Sequence, residues 1–277
     1  MDPIALRRCP IMTGPADPTT ELTTYYAAHA EAYEVRWAEV LVPASVQLLR
    51  RLPAKAPRAV LDVGAGVGTL TPHLRAVMPD AQVVVTDLAH GMLRRARDGA
   101  RTVSDASKLP FRHASFDAVV MAFMLFHVAD PVAALAEARR VLRQAGVVGV
   151  TTWGTDRPAP ALVAWNAALD EAGIPAAPPL RAQHSLMDTP AKLDGLLRSA
   201  GFRVVSVAPV PWSDEPTPEE FVLRHASVGA TGRRLRAVTD PGLRRAVLGR
   251  IRDRLRTLEP RDFHDHSEVL AAVGEAI

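Results

Sequence analysis

The 277 residues are 48% hydrophobic, carry a formal net charge of +3 and contain one cysteine. A chain of this length buries a substantial core, and its evenly spread apolar residues exclude disordered and fibrous classes. Cys9 alone excludes an internal disulfide and, without partner Cys/His spacing, a zinc site; no metal is expected. No apolar run reaches the roughly 18 to 20 residues of a membrane span, and residues 1–14 lack an apolar signal core. The expectation is one compact cytoplasmic protein without a membrane span. Basic charge comes from 30 Arg against 3 Lys, concentrated between positions 224 and 261. Without interleaved aromatic residues that excess reads as a solvated helix face, and nucleic acid is disfavoured as a partner.

In chain order, residues 21–52 read as helix, interrupted or restarted at Pro43. Residues 58–63 form a short buried strand that ends in glycines, and residues 69–78 follow with helical spacing. The pattern repeats with a strand at 81–87 and a helix at 90–100. A short strand at 101–105 follows, then a loop and a strand from Phe116. Residues 130–146 read as a helix with an acidic start and a glycine stop, followed by a strand at 147–153. After a Pro/Ala-rich stretch with one short helix at 162–172, the alternation resumes with a helix at 189–202 and a strand at 203–210. Residues 216–256 hold two or three amphipathic helices, and 267–277 read as a final antiparallel edge strand, with helix as the competitor. Strands alternating with helices imply a parallel sheet covered on both faces.

In such sheets ligands sit beyond the carboxyl ends of the strands, where strand order reverses. There, in the segment VLDVGAGVG at 60–68, Gly64, Ala65 and Gly66 permit a tight turn and close approach to a ligand, and helix N-terminal amides point into the same crevice. The spacing is G-x-G-x-G, from Gly64 through Gly66 to Gly68; a dinucleotide fingerprint would put glycine where Thr69 stands. Asp87 ends the second strand 21 residues after Gly66, where a carboxylate can accept both hydroxyl hydrogens of an adenosine ribose. Asp105 closes the third strand beside the small Ala106. That suits an adenine amino group, although Asp105 equally suits a turn or helix cap.

Through these blocks, and through SFDAVVMAFMLFHVADP and ARRVLRQAGVVGVTTW, the chain resembles the class I S-adenosylmethionine-dependent methyltransferases over about residues 25–210, in their small-molecule, ubiquinone/menaquinone-biosynthesis-like branch. The resemblance implies a Rossmann-like α/β fold: a mostly parallel seven-stranded sheet, helices on both faces and a helical cap. It implies lid helices over 1–52, a cofactor-binding core over 53–212 with a variable segment at 155–185, and a helical insertion with a final edge strand over 213–277. By the same resemblance the cofactor is S-adenosyl-L-methionine. Gly64, Ala65 and Gly66 then contact its methionine moiety, with Asp62 tuning the loop, and Asp87 holds the ribose. Leu88 and Met92 flank the adenine, Asp105 and Ala106 face its amino edge, and Met121 and Ala122 lie near the carboxylate or sulfonium. Tyr25, Tyr26, Tyr33 and Trp37 are available on the lid, Tyr33 as a cofactor contact.

Methyl transfer to oxygen or carbon benefits from a general base, and His127, after the fourth strand, is the first candidate, with Tyr25 as a positioning or catalytic residue. His29 and His184 are weaker candidates. No N/D-P-P-Y/F run follows the fourth strand, which disfavours a nucleic-acid exocyclic amine as acceptor. The expected activity is methylation of O, N or C on a small molecule, in specialised metabolism, by a monomer or homodimer. Two alternatives stay open: an NAD(P)-dependent oxidoreductase, although no Y-x-x-x-K follows, and a protein that binds S-adenosylmethionine without transferring methyl.

Overall fold

The computed structural model describes residues 18–52, 56–155, 158–177, 180 and 183–277, which leaves Cys9 outside the described residues. The chain opens with α1 (Pro18–Ala28) and α2 (Ala30–Tyr33), a π-helical turn (Glu34–Ala38) and α3 (Glu39–Arg51). The helix therefore runs through Pro43, and its irregularity falls one turn earlier. The proline ring crowds the carbonyl four residues back and supplies no N–H to it, so the preceding turn widens.

The α/β region follows as β1 (Ala59–Val63), α4 (Thr71–Val77), β2 (Gln82–Asp87), α5 (His90–Leu93), β3 (Ala100–Val103), β4 (Phe116–Ala122), a 3-10 turn (Leu125–His127), α6 (Pro131–Val141) and β5 (Leu142–Trp153). Next come α7 (Pro160–Glu171), a 3-10 turn (His184–Leu186), α8 (Pro190–Ser199) and β6 (Phe202–Val210). The chain closes with α9 (Pro218–Ser227), α10 (Gly229–Arg236), α11 (Pro241–Leu255), a 3-10 turn (Pro260–Phe263) and β7 (Val269–Ala276).

Seven strands form one sheet in the order β3-β2-β1-β4-β5-β7-β6, parallel except for β7, which runs antiparallel to both neighbours. Strand order reverses between β1 and β4, which places the switch-point crevice at their carboxyl ends. Val60, Leu61, Val119 and Val148 are buried without exposed surface, as expected of strands covered on both faces.

Three expectations need correction. The last strand is not an edge strand: β7 lies between β5 and β6, with seven of its eight residues buried, so it belongs to the central core. The helix at 130–146 stops at Val141, because Leu142 already pairs with Phe116 in the sheet, and Ala145 turns back at φ +59°. Sheet pairing here overrides the helical preference of the residues. The helix at 90–100 is one turn, since the chain must reach β3 at Ala100 along the sheet edge.

The cap is assembled from two separate stretches of chain. Trp165 and Leu169 of α7 pack against Phe221 of α9, Leu235 of α10, Val247 and Ile251 of α11, and Phe263, as a hydrophobic core distinct from that of the sheet. Arg234 lies inside it, 6% exposed, donating to the carbonyls of Ile174 and Pro175 at 3.1 Å and pairing with Asp170. Arg234→Met is expected to lower unfolding free energy by about 2 to 3 kcal/mol, measured by urea denaturation, because the carbonyls it serves lose a charged donor. A change below about 0.5 kcal/mol in that measurement would show that the cap does not depend on this anchor.

Candidate functional site

An open cavity of about 930 Å3 lies over the carboxyl ends of β1, β2 and β4, at the switch point. A second, of about 450 Å3, adjoins it on the side of α3 and the glycine turn. Helix α1 lines the first with Leu22, Thr23 and Tyr26.

The glycine turn owes its shape to backbone conformations closed to most side chains: φ is +71° at Gly64 and +58° at Gly66. A Cβ on Gly64 would lie 2.6 Å from Met124, whereas one on Gly66 would meet only the tip of Met92, at 3.4 Å, and would project into the space between. The turn's amides are already engaged. Those of Gly64 and Ala65 donate to the Thr86 carbonyl, and that of Gly66 donates to Asp87 at 2.8 Å. These three amides are therefore spent within the fold, and what the turn offers a ligand is the open Cα surface at Gly66.

Asp87 also accepts from the Ala89 amide at 2.7 Å, so one carboxylate ties the glycine turn of β1 to the start of α5. Burial pushes its carboxyl above the ordinary range, and the Ala89 and Gly66 amides counter part of that rise. Asp105 lies two residues beyond the end of β3 and does not close it, accepting from the Ser107 amide at 2.8 Å in a tight turn while lining the larger cavity. It thus forms a turn and lines the cavity at once.

The larger cavity brings together nine expected residues: Tyr33, Gly64, Gly66, Asp87, Leu88, Met92, Asp105, Ala106 and His127. Asp62, Ala65 and Ala122 line the smaller one. Two expected residues line neither. Met121 is wholly buried in the sheet core, because alternation along β4 turns it away where Ala122 faces the crevice. The Tyr25 hydroxyl accepts from the Gly229 amide at 2.9 Å and from Arg236 at 3.1 Å, so it fastens the lid to α10. Trp37 faces the cap too, against His225 and Arg224.

The neighbouring tyrosine takes the place expected of Tyr25. The Tyr26 hydroxyl and His127 Nε2 share a hydrogen bond of 3.1 Å on the cavity wall, and Tyr33 packs edge-to-face on Tyr26. Adjacent tyrosines on a helix point about 100° apart, and only the docking of the lid decides which one faces the cavity. Burial pushes both the Tyr26 and Tyr33 hydroxyls up, that of Tyr33 to about 12. His29 bonds back to its own helix at the Tyr25 carbonyl, and His184 stacks on Phe126, behind His127. Phe123, Met124 and Thr19 also line the larger cavity, and no sequence pattern marks them.

Asp62 is 2% exposed, and among the described residues its Oδ2 has no hydrogen-bond partner. Burial, with Asp87 nearby, raises its pKa to about 8. A carboxyl raised from about 4 unfolded to about 8 folded holds a proton that the unfolded chain has released. Its contribution to stability is therefore full below pH 4 and falls as pH rises from about 4 to about 8. Melting temperatures of Asp62→Asn should lack that part of the decline between those limits. Parallel curves for the two proteins would contradict the shift.

Residues 61–150, about a third of the chain, match the model of a family described as "Methyltransferase domain". A malonyl-[acyl-carrier protein] O-methyltransferase of Legionella pneumophila is 34% identical over 158 residues, 53% of this chain and 55% of the relative. A demethylmenaquinone methyltransferase of a Mycobacterium species is 42% identical over 98 residues, 35% of this chain and 42% of the relative. The chain thus spans between about two fifths and just over half the length of these relatives. Phosphoethanolamine N-methyltransferase 2 of Haemonchus contortus, solved with S-adenosyl-L-methionine, superposes with a TM-score of 0.57 at 19% identity, covering 95% of this chain and 61% of that one. Among the described residues no helix is long and apolar enough to cross a membrane. Sheet order and the solved neighbour give this chain the fold of the class I methyltransferases, and within it residues 61–150 match a methyltransferase-domain family.

Proposed function

We propose that the chain transfers a methyl group from S-adenosylmethionine to oxygen, nitrogen or carbon of a small-molecule acceptor, in specialised metabolism and in the cytoplasm. The observation that carries this reading is a pair of adjoining cavities, sharing wall residues, with matched chemistry at its two ends. At one end the unpartnered Asp62 oxygen and the open face of Gly66 suit an amino-acid group, whose ammonium can donate to that oxygen. At the other end Asp87 and Asp105 suit ribose hydroxyls and an adenine amino group, and Leu88, Met92 and Ala106 suit the faces of the ring. The residues present therefore fit the cofactor.

When bound, the cofactor supplies a methyl group made electrophilic by the positive sulfur. The protein's part is to orient an acceptor, exclude water and move a proton. Lid helix α1 roofs the cavity and supplies exclusion. For a hydroxyl acceptor, Tyr26 and His127 form a relay: the acceptor's proton passes to the Tyr26 oxygen as the Tyr26 proton passes to Nε2. Because burial disfavours tyrosinate, both transfers belong to one step. An amine acceptor that arrives neutral can attack without the relay.

The test is mass spectrometry of acceptors incubated with methyl-labelled cofactor. The names of the relatives put a malonyl-[acyl-carrier protein] and demethylmenaquinone first in the panel. A labelled product from at least one acceptor class is expected. Cofactor binding without label across oxygen, nitrogen and carbon acceptors would favour a protein that uses the bound sulfonium as a scaffold.

A further inference from the structure

We propose that the aromatic rings of Phe123 and Tyr33 form the seat of the cofactor's positively charged sulfonium; this rests on the cofactor reading above. The two cavities share four residues: Tyr33, Gly64, Gly66 and Phe123. Asp87 and Asp105 line only the larger cavity, and Asp62 lines only the smaller. In S-adenosylmethionine the sulfur lies between the adenosyl half and the amino-acid half. A molecule whose halves occupy the two cavities must pass its sulfur through the part they share. Two of the four shared residues have no side chain, and the other two are aromatic.

An aromatic face attracts a cation without neutralising it, and the attraction grows as water is removed. It suits a sulfonium that must remain electrophilic. The backbone at Phe123 points the same way: φ is +52°, a left-handed conformation that costs a bulky residue about 1 kcal/mol or more. The surroundings hold it there. Its amide donates to the Thr151 carbonyl at 3.0 Å, and its ring packs on Trp153 with centroids 5.0 Å apart. Trp153 meets Trp212 edge-on at 5.1 Å, and the Trp212 indole donates to the Val40 carbonyl of α3 at 3.0 Å. A strained aromatic residue braced through two tryptophans to the lid helices implies a fixed ring position at the junction of the cavities.

Calorimetry with S-adenosylmethionine, which is cationic at sulfur, and S-adenosylhomocysteine, which is neutral there, tests the assignment. Phe123→Leu keeps bulk and loses the aromatic face. It should weaken S-adenosylmethionine binding about 5- to 30-fold while changing S-adenosylhomocysteine binding less than about 2-fold. Phe123→Tyr should retain the preference of the unmodified protein. If Phe123→Leu melts at the temperature of the ligand-free assay, Tyr33→Leu against Tyr33→Phe carries the same comparison. Equal weakening of both ligands, or no change in either, would overturn the sulfonium seat and leave the cofactor reading intact. Failure of the unmodified protein to bind either ligand would overturn both.

Discussion

Asp87→Ala should weaken S-adenosylmethionine binding about 100-fold, or ~2.7 kcal/mol, measured by calorimetry. Two losses combine. The proposed ribose hydroxyls lose a charged acceptor, and the amides of Gly66 and Ala89, at 2.8 and 2.7 Å, lose the carboxylate that ties the glycine turn to α5. Asparagine should not rescue binding. Its amide group would put an N–H donor against either the Gly66 or the Ala89 amide, whichever oxygen it replaces. Affinity within about twofold of the unmodified protein would show that Asp87 has no role in holding the cofactor.

His127→Ala should lower turnover of a hydroxyl acceptor by about 100-fold or more, with cofactor affinity within twofold. Tyr26→Phe should cost turnover as well, because it removes the 3.1 Å hydrogen bond through which the proton is proposed to pass. The two residues act as one relay, so the double variant should be little slower than His127→Ala alone. Additive losses would separate their roles. Full activity of His127→Ala would return that residue to packing against Phe126.

Much of this arrangement was legible from residue types in order. The β1 to β4 strands, the glycine turn and Asp87 follow from short-range chemistry: apolar runs, glycines where φ is positive, and an acid at a strand end. Long-range pairing was not legible. The inward place of β7 depends on which strands it joins, and AAVGEA serves a central strand as well as an edge. Likewise the early stop of α6 depends on Leu142 finding Phe116 across the sheet. Side-chain direction on the lid was also hidden. Tyr25 and Tyr26 have the same chemistry and adjacent numbers, yet one fastens the cap and the other meets His127. Phe123 carries no sequence signal, because its left-handed backbone and its place between two cavities exist only once β4, β5 and the lid have met.

The domain's chemistry begins with whether this chain holds the cofactor where Asp62, Gly66 and Asp87 converge. Titration calorimetry with S-adenosylmethionine, on the unmodified protein and on Asp87→Ala, measures that directly. One-to-one binding is expected, with a Kd in the roughly 1 μM to 1 mM range common to enzyme sites and a large loss in the variant. Absence of heat at millimolar ligand in a folded sample, or equal binding by the variant, would contradict it.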